Sequence, residues 1–297
     1  MSTDQIETGI VYALTAGILW GIGPILLKKG MALSNVSTAT LTMQVISVLT
    51  LSTVMGIRGG VVFSDLSFEA IWPFAAAGAV GASFGKIFYY KGIDTVGVSK
   101  SVSIKNSAPI LTTLLGVVIL GERVTLPIAA GVVLIVTGIF LLSRVQGVIE
   151  GRPDRVAYFI YPLLAAFCFG INPILKKIGI SAIGMPTFGA FITQSTGLIV
   201  MLTAGRLLKI KLKWERVPTR SLIFFVLAGV TEALGSLLTF HALVYAPAVL
   251  VSPIWRISPL VTFLLARFVF RGIELVTLRD GVAATVIVGG IFVLSQG

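Results

Sequence analysis

Four ionisable side chains stand inside long apolar runs of this 297-residue chain: Lys86, Lys105, Glu232 and Arg256. A charge at the centre of a bilayer costs on the order of 3 kcal/mol by insertion scales, so each one calls for an explanation. Glu232 lies near the middle of its apolar run and Arg256 well inside the next, whereas Lys86 and Lys105 lie within two turns of the ends of theirs. An arginine there could grip a carboxylate or phosphate bidentately, with lysines as added point charges. A carboxylate in a low-dielectric site could exchange protons with a solute. Two plainer readings stand beside these. The lysines could snorkel to the lipid headgroups, and Glu232 could form a structural ion pair with Arg256, in which case pairing competes with proton exchange.

The elements that must position these groups are membrane spans. Hydrophobic residues make up 56% of the chain and charged residues 12%, with a mean hydropathy of +1.01. That is about half the roughly 25% charge of a soluble domain, so lipid must solvate most of the surface. A span needs about 20 mainly apolar residues. On that length the sequence predicts helices near 9–29, 38–57, 70–91, 98–119 and 126–144. After a charged link at 145–156, five more follow near 157–177, 186–206, 221–243, 248–269 and 277–296. Barrel strands would show period-two alternation instead.

The second half repeats the first. YALTAGILWGIGPILLKKG (Tyr12–Gly30) returns as YPLLAAFCFGINPILKKIG (Tyr161–Gly179), 149 residues later and identical at ten of nineteen positions. Gly85 matches Gly235 and Pro109 matches Pro259 at a spacing of 150, and the GIFLLS run Gly138–Ser143 matches Gly290–Ser295. Two units of five spans follow, 1–148 and 149–297. An odd number of spans places the second unit upside down in the membrane. Inverted repeats of this kind hold a site at the midplane, often on helices interrupted by Gly or Pro. Lys105-Asn106 aligns with Trp255-Arg256, which brings all four residues to one midline region. Trp20, Tyr89, Tyr90, Phe169 and Trp255 could wall it, although aromatics facing lipid are as common. Pro24 and Pro173 bend their helices as hinges, with Pro109 and Pro259 in matching roles. Lys28 and Lys177 anchor helix ends at the headgroups. Gln44 and Gln194 are expected to hydrogen-bond between helices. Asn172 could serve the backbone group left by Pro173 or reach the cavity.

The run GERVTLPIAAGVVLIVTGIFLLS, Gly121–Ser143, resembles the closing signature of the EamA-type repeat in the drug/metabolite transporter superfamily. Trp20-Gly21, with Lys28 eight residues beyond the tryptophan, resembles the start of that repeat. The second copy departs from the pattern: Phe169 replaces the tryptophan, and Arg271-Gly272-Ile273-Glu274 replaces Gly-Glu-Arg. The resemblance implies an all-α integral membrane protein of ten transmembrane helices, arranged as two inverted five-helix repeats around a central cavity. Helices 1, 3, 4, 6, 8 and 9 would line the cavity, with 5 and 10 supporting it. It further implies a secondary transporter, multi-pass in the cell (plasma) membrane, that moves a small metabolite by alternating access. Lys86, Lys105, Asn106, Glu232, Trp255, Arg256, Trp20 and Tyr90 are the candidate substrate-binding residues. Two or three cations beside one carboxylate favour an anionic or zwitterionic solute. Triose-phosphate transporters, relatives in that superfamily, place Lys and Arg on the corresponding helices. Glu232 is the coupling candidate, so protons or a counter-transported solute are possible partners. The alternative is a proton-coupled exporter of drug-like or cationic compounds that uses Glu232 as counter-ion.

Glu122 and Glu274 read as structural, each just before a positive helix end; Thr125 and Thr277 have the spacing of N-caps. Other classes fit poorly. One cysteine, Cys168, leaves no internal disulfide, and a single histidine, His241, leaves no triad partner. No metal site or cofactor is expected, and no Gly-rich loop with Lys-Ser/Thr suggests an ATP-driven pump. A net charge of +11 could suggest nucleic acid, but the basic residues sit in short gaps between apolar runs, where they anchor helices. Residues 1–8 carry Asp4 and Glu7 and no Lys or Arg, so the first run is expected to remain as a helix. Orientation divides the signals. The family habit puts both termini in the cytoplasm, with Arg58, Arg123, Lys176 and Lys177 in the inner loops. The denser charge at Arg152, Arg155, Arg206, Lys209, Lys211, Lys213, Arg216 and Arg220 puts both termini outside.

Overall fold

The structure, a computed structural model, describes residues 2–31, 34, 36–57, 68–96, 101, 104–143, 156–207, 217–269 and 278–296. Among the described residues it is all helix, with no strand. Arg58, Arg152, Arg155, Lys209, Lys211, Lys213, Arg216, Glu274 and Thr277 lie outside the described residues, as do the side chains of Tyr90 and Arg206.

Helix α1 (Thr3–Gly30) starts two turns earlier than its apolar run, because Ser2 and Gln5 form a capping box that satisfies amides at its start. Helix α2 spans Val36–Ile57. Helix α3 is not the regular span expected: it runs Phe68–Ala77, widens to a π-helix over Gly78–Gly85, and resumes as α over Lys86–Val96. The glycines there permit close approach. A Cβ at Gly78 would overlap the Thr193 carbonyl and one at Gly81 the Asn172 side chain. Asn172 Nδ2 donates to the carbonyl of Ala77 at the α-to-π junction, 2.7 Å.

Helix α4 (Ala108–Leu120) and α5 (Leu126–Ser143) complete the first half. The second contains α6 (Ile160–Ile183), α7 (Pro186–Leu207), α8 (Thr219–Tyr245), α9 (Ala248–Trp255 and Ser258–Val269) and α10 (Leu278–Leu294). Among the described residues six helices are long and apolar enough to cross a membrane, including α1, α6 and α8; α4, α5 and α10 are shorter apolar helices.

The expected spans near 98–119 and 248–269 are broken, by the same chemistry twice. Pro109 and Pro259 lack the N–H that would bond four residues back, to Lys105 and Trp255. The chain answers with tight turns, Ser107 N–H to Ile104 O and Ile257 N–H to Ile254 O, each 3.1 Å. A helix then restarts with the proline in its first turn. Asn106 and Arg256 sit at these breaks.

The halves interlock by exchange. α1 packs on α8 and α9 while α6 packs on α3 and α4; α2 meets α8 as α7 meets α3; and α2–α7, α4–α9 and α5–α10 are pairs of counterparts. Glycines bring α5 and α10 together: Gly131 faces Leu294, Gly138 faces Ile287 and Gly290 faces Ile135. Outward-facing Val118, Leu126, Val288 and Phe292 are exposed, as lipid-facing side chains are.

The closing signature is explained by two of its residues. Gly121, at φ 64°, ends α4 in the left-handed region, and the Glu122 amide returns to Gly116 O at 3.1 Å. That turn carries the Glu122 carboxylate to the other half of the chain, where it accepts from the amides of Ala248 (2.8 Å) and Val249 (2.9 Å) at the start of α9. Glu122 is structural, but it serves α9 and not the adjacent α5. Thr125 caps α5, accepting from Ile128 N–H at 3.4 Å. Lys177 does not reach outward: α6 continues to Ile183, and its ammonium donates to the carbonyls of Leu243 (2.5 Å) and Ala246 (3.1 Å), the unpaired carbonyl end of α8. The α8–α9 junction is thus held by a cation on its carbonyl side and a carboxylate on its amide side.

Candidate functional site

A cavity of about 330 Å³ lies where α1, α3, α4, α6, α7, α8 and α9 converge. Among the described residues its lining takes nothing from α5 or α10, while α7 contributes Thr193 and Gln194, which were not expected. Of the candidate residues, Trp20, Lys86, Lys105, Asn106, Glu232, Trp255 and Arg256 all line it, as do Pro24, Pro173 and Pro259. Pro109 is not among the lining residues.

The opening repeat builds the walls. Pro173 removes the amide that would bond to the Phe169 carbonyl four residues back, and Arg256 Nη2 donates to that carbonyl at 2.8 Å. One residue on, the carbonyls of Gly21 and Gly170 accept from Thr262 (2.8 Å) and Thr112 (2.7 Å), each on a helix of the opposite half. The matched glycines seat the matched rings. A Cβ at Gly235 would lie 2.7 Å from Trp20 Nε1, and one at Gly85 would lie 3.3 Å from Phe169 Cζ. Trp20 meets Trp255 edge-on at 6.5 Å, and Phe169 meets Lys105, the repeat counterpart of Trp255, at 5.8 Å. The frame is symmetric and its occupants are not. One flank is aromatic and the other cationic.

The charges are arranged unevenly. Lys86 faces inward, 3.5 Å from Glu232, with both side chains about one-fifth exposed. It also donates to Gln44 Oε1 at 3.3 Å, and Gln44 Nε2 donates to Gln194 Oε1 at 2.7 Å. The Gln44–Gln194 bond joins α2 to α7 and extends the polar chain from Glu232 across four helices. Neither snorkelling of Lys86 nor a Glu232–Arg256 pair is seen. Lys105 lies over the rings of Tyr89 (4.6 Å) and Phe169, and Arg256 over Phe169 at 5.6 Å.

Lys176 was read from the sequence as a loop residue. It is instead 5% exposed, inside α6, and lines the cavity. Its ammonium contacts Thr239 Oγ1 (3.4 Å) and the rings of Phe240 (4.9 Å) and Trp20 (5.9 Å). Helical periodicity could have found it, since Phe169, Asn172, Pro173 and Lys176 share one face at i, i+3, i+4 and i+7. Among the described residues no carboxylate lies within ion-pair distance of Lys105, Lys176 or Arg256. His, Cys, Asp and Glu form no cluster there able to hold a metal.

A solved crystal structure of another protein superposes with a TM-score of 0.79 over 97% of this chain and 98% of its own, at 15% identity, which establishes a shared fold. The "Putative sugar uptake protein lin0215" of Listeria innocua serovar 6a is 26% identical over 259 residues, 78% of each chain. The long apolar helices of this chain define a multi-pass integral membrane protein. The EamA-like transporter family model matches twice, over residues 7–144 and 157–296, and the chain belongs to that family.

Proposed function

We propose that this transporter carries a small anionic or zwitterionic metabolite bearing a carboxylate or phosphate, by alternating access between two inverted five-helix units, 1–148 and 149–297, with ten transmembrane helices. The observation that carries this reading is the charge of the cavity. Lys105, Lys176 and Arg256 line it with no carboxylate within ion-pair distance among the described residues, and Glu232, which also lines it and acts on Lys176 through space, is paired with Lys86. Buried cations without counter-charges are costly, and an anionic solute supplies what is missing. Arg256 is the anchor: one nitrogen is used by Phe169 O, and the rest of its fork faces the cavity. Trp20 and Trp255 offer an apolar wall to the carbon skeleton. The Listeria relative's name adds weight to a carbohydrate-like skeleton, and an acidic or phosphorylated sugar meets both conditions. Glu232 is the coupling candidate, reached by protons through the cavity.

The engaged Glu232 and the excess of cations weigh against the export of cationic compounds. A thermal-shift screen of the purified protein separates these readings, because a ligand that binds the folded state raises its apparent stability. Carboxylate- or phosphate-bearing metabolites should stabilise it, and Arg256→Gln should remove that stabilisation. Stabilisation by organic cations alone would overturn the proposal.

A further inference from the structure

Lys176 stands apart from the cations that the repeat predicts. Lys105 and Arg256 share one ring, Phe169. Lys176 lies seven residues further along α6, two turns on the same face, which is about 10 Å along the axis. Its surroundings are a hydroxyl and two rings, Thr239, Phe240 and Trp20, and it is 5% exposed while still lining the cavity. Its repeat counterpart in α1 is Leu27, so pseudo-symmetry does not require a cation here. An ammonium buried against a hydroxyl and two rings, with Glu232 acting on it only through space, is an expensive choice where leucine fits the frame. The cavity therefore holds cations rooted at two levels of α6: Lys105 and Arg256 over Phe169, and Lys176 two turns further along.

Resting on the anionic reading above, we propose that Lys176 is a second anchor and selects solutes with two acidic groups: one held at Arg256 and Lys105, the other at Lys176, with the skeleton between them against Trp20. No bond is made or broken; the discrimination is between one acidic group and two.

The test compares propionate with succinate, and inorganic phosphate with phosphonoacetate, as ligands of the full-length purified protein in thermal-shift titrations. Wild type should bind each two-acid probe more tightly than its one-acid partner. Lys176→Gln should weaken succinate and phosphonoacetate about tenfold, the scale of one charge-assisted hydrogen bond, and weaken propionate and phosphate much less. Lys176→Arg should restore the preference. Should Lys176→Gln not fold, Lys176→Met places an apolar chain of similar length in the buried site and carries the same expectation. Equal weakening of one-acid and two-acid probes, or no preference in wild type, would overturn the second anchor while leaving an anionic substrate in place. Failure of all four probes to bind would overturn both readings.

Discussion

Arg256 and Glu232, the two charges deepest in the sequence, have different company in the structure. Arg256 is stacked on Phe169 and bonded to its carbonyl, a group released by Pro173. Pro173, inside α6, therefore also helps to place the arginine. Glu232 is tied to Lys86 and through it to Gln44 and Gln194. If Glu232 couples protons to transport, Glu232→Gln keeps the size of the side chain and removes the proton site. Proton-driven accumulation in proteoliposomes should be lost, while solute exchange and the melting profile are retained. Unimpaired accumulation would remove Glu232 from that role. Most of this site was legible because ionisable residues at membrane depth are rare and stand out. Lys176 did not stand out, since it follows an apolar run by sequence and the helix end was placed near 177. The carbonyls and amides of the α8–α9 junction, which draw in Lys177, are invisible to a reading by composition.

At the level of elements, the family signature is a small mechanical part. Gly121 permits the left-handed turn, and the turn delivers Glu122 to the first amides of α9 in the other half. Removing a carboxylate that satisfies two helix-end amides should cost about 2 kcal/mol. Glu122→Ala should therefore lower the melting temperature in detergent, and Glu122→Gln, which keeps an acceptor, should lower it less; equal melting for all three would show that the contact contributes nothing. The span positions were readable from apolar length, and the repeat was readable from matched glycines and prolines. The breaks at Asn106–Ser107 and Arg256–Ile257 and the π segment Gly78–Gly85 were not. Their causes are local in chemistry, the missing proline amides and the glycine contacts with α6 and α7, but their geometry depends on partners 80 to 120 residues away, such as Asn172 and Thr193.

Across the whole molecule, packing partners are exchanged between the halves and the cavity is lined from both, with the broken helices α4 and α9 packed together and α5 and α10 paired. Rocking one half against the other around that cavity is the motion such a frame allows. Single cysteines placed between 207 and 219, in a background lacking Cys168, report which side the basic link faces. The Lys/Arg count predicts protection from an impermeant external thiol reagent, and external labelling would instead favour both termini in the cytoplasm. The central claim is the sign of the substrate. Proteoliposomes preloaded with a carboxylate- or phosphate-bearing metabolite should take up its labelled form by exchange. That uptake should be inhibited by other small anions, be insensitive to organic cations and neutral sugars, and be lost in Arg256→Gln. Exchange of neutral sugars or cations that survives Arg256→Gln would contradict it.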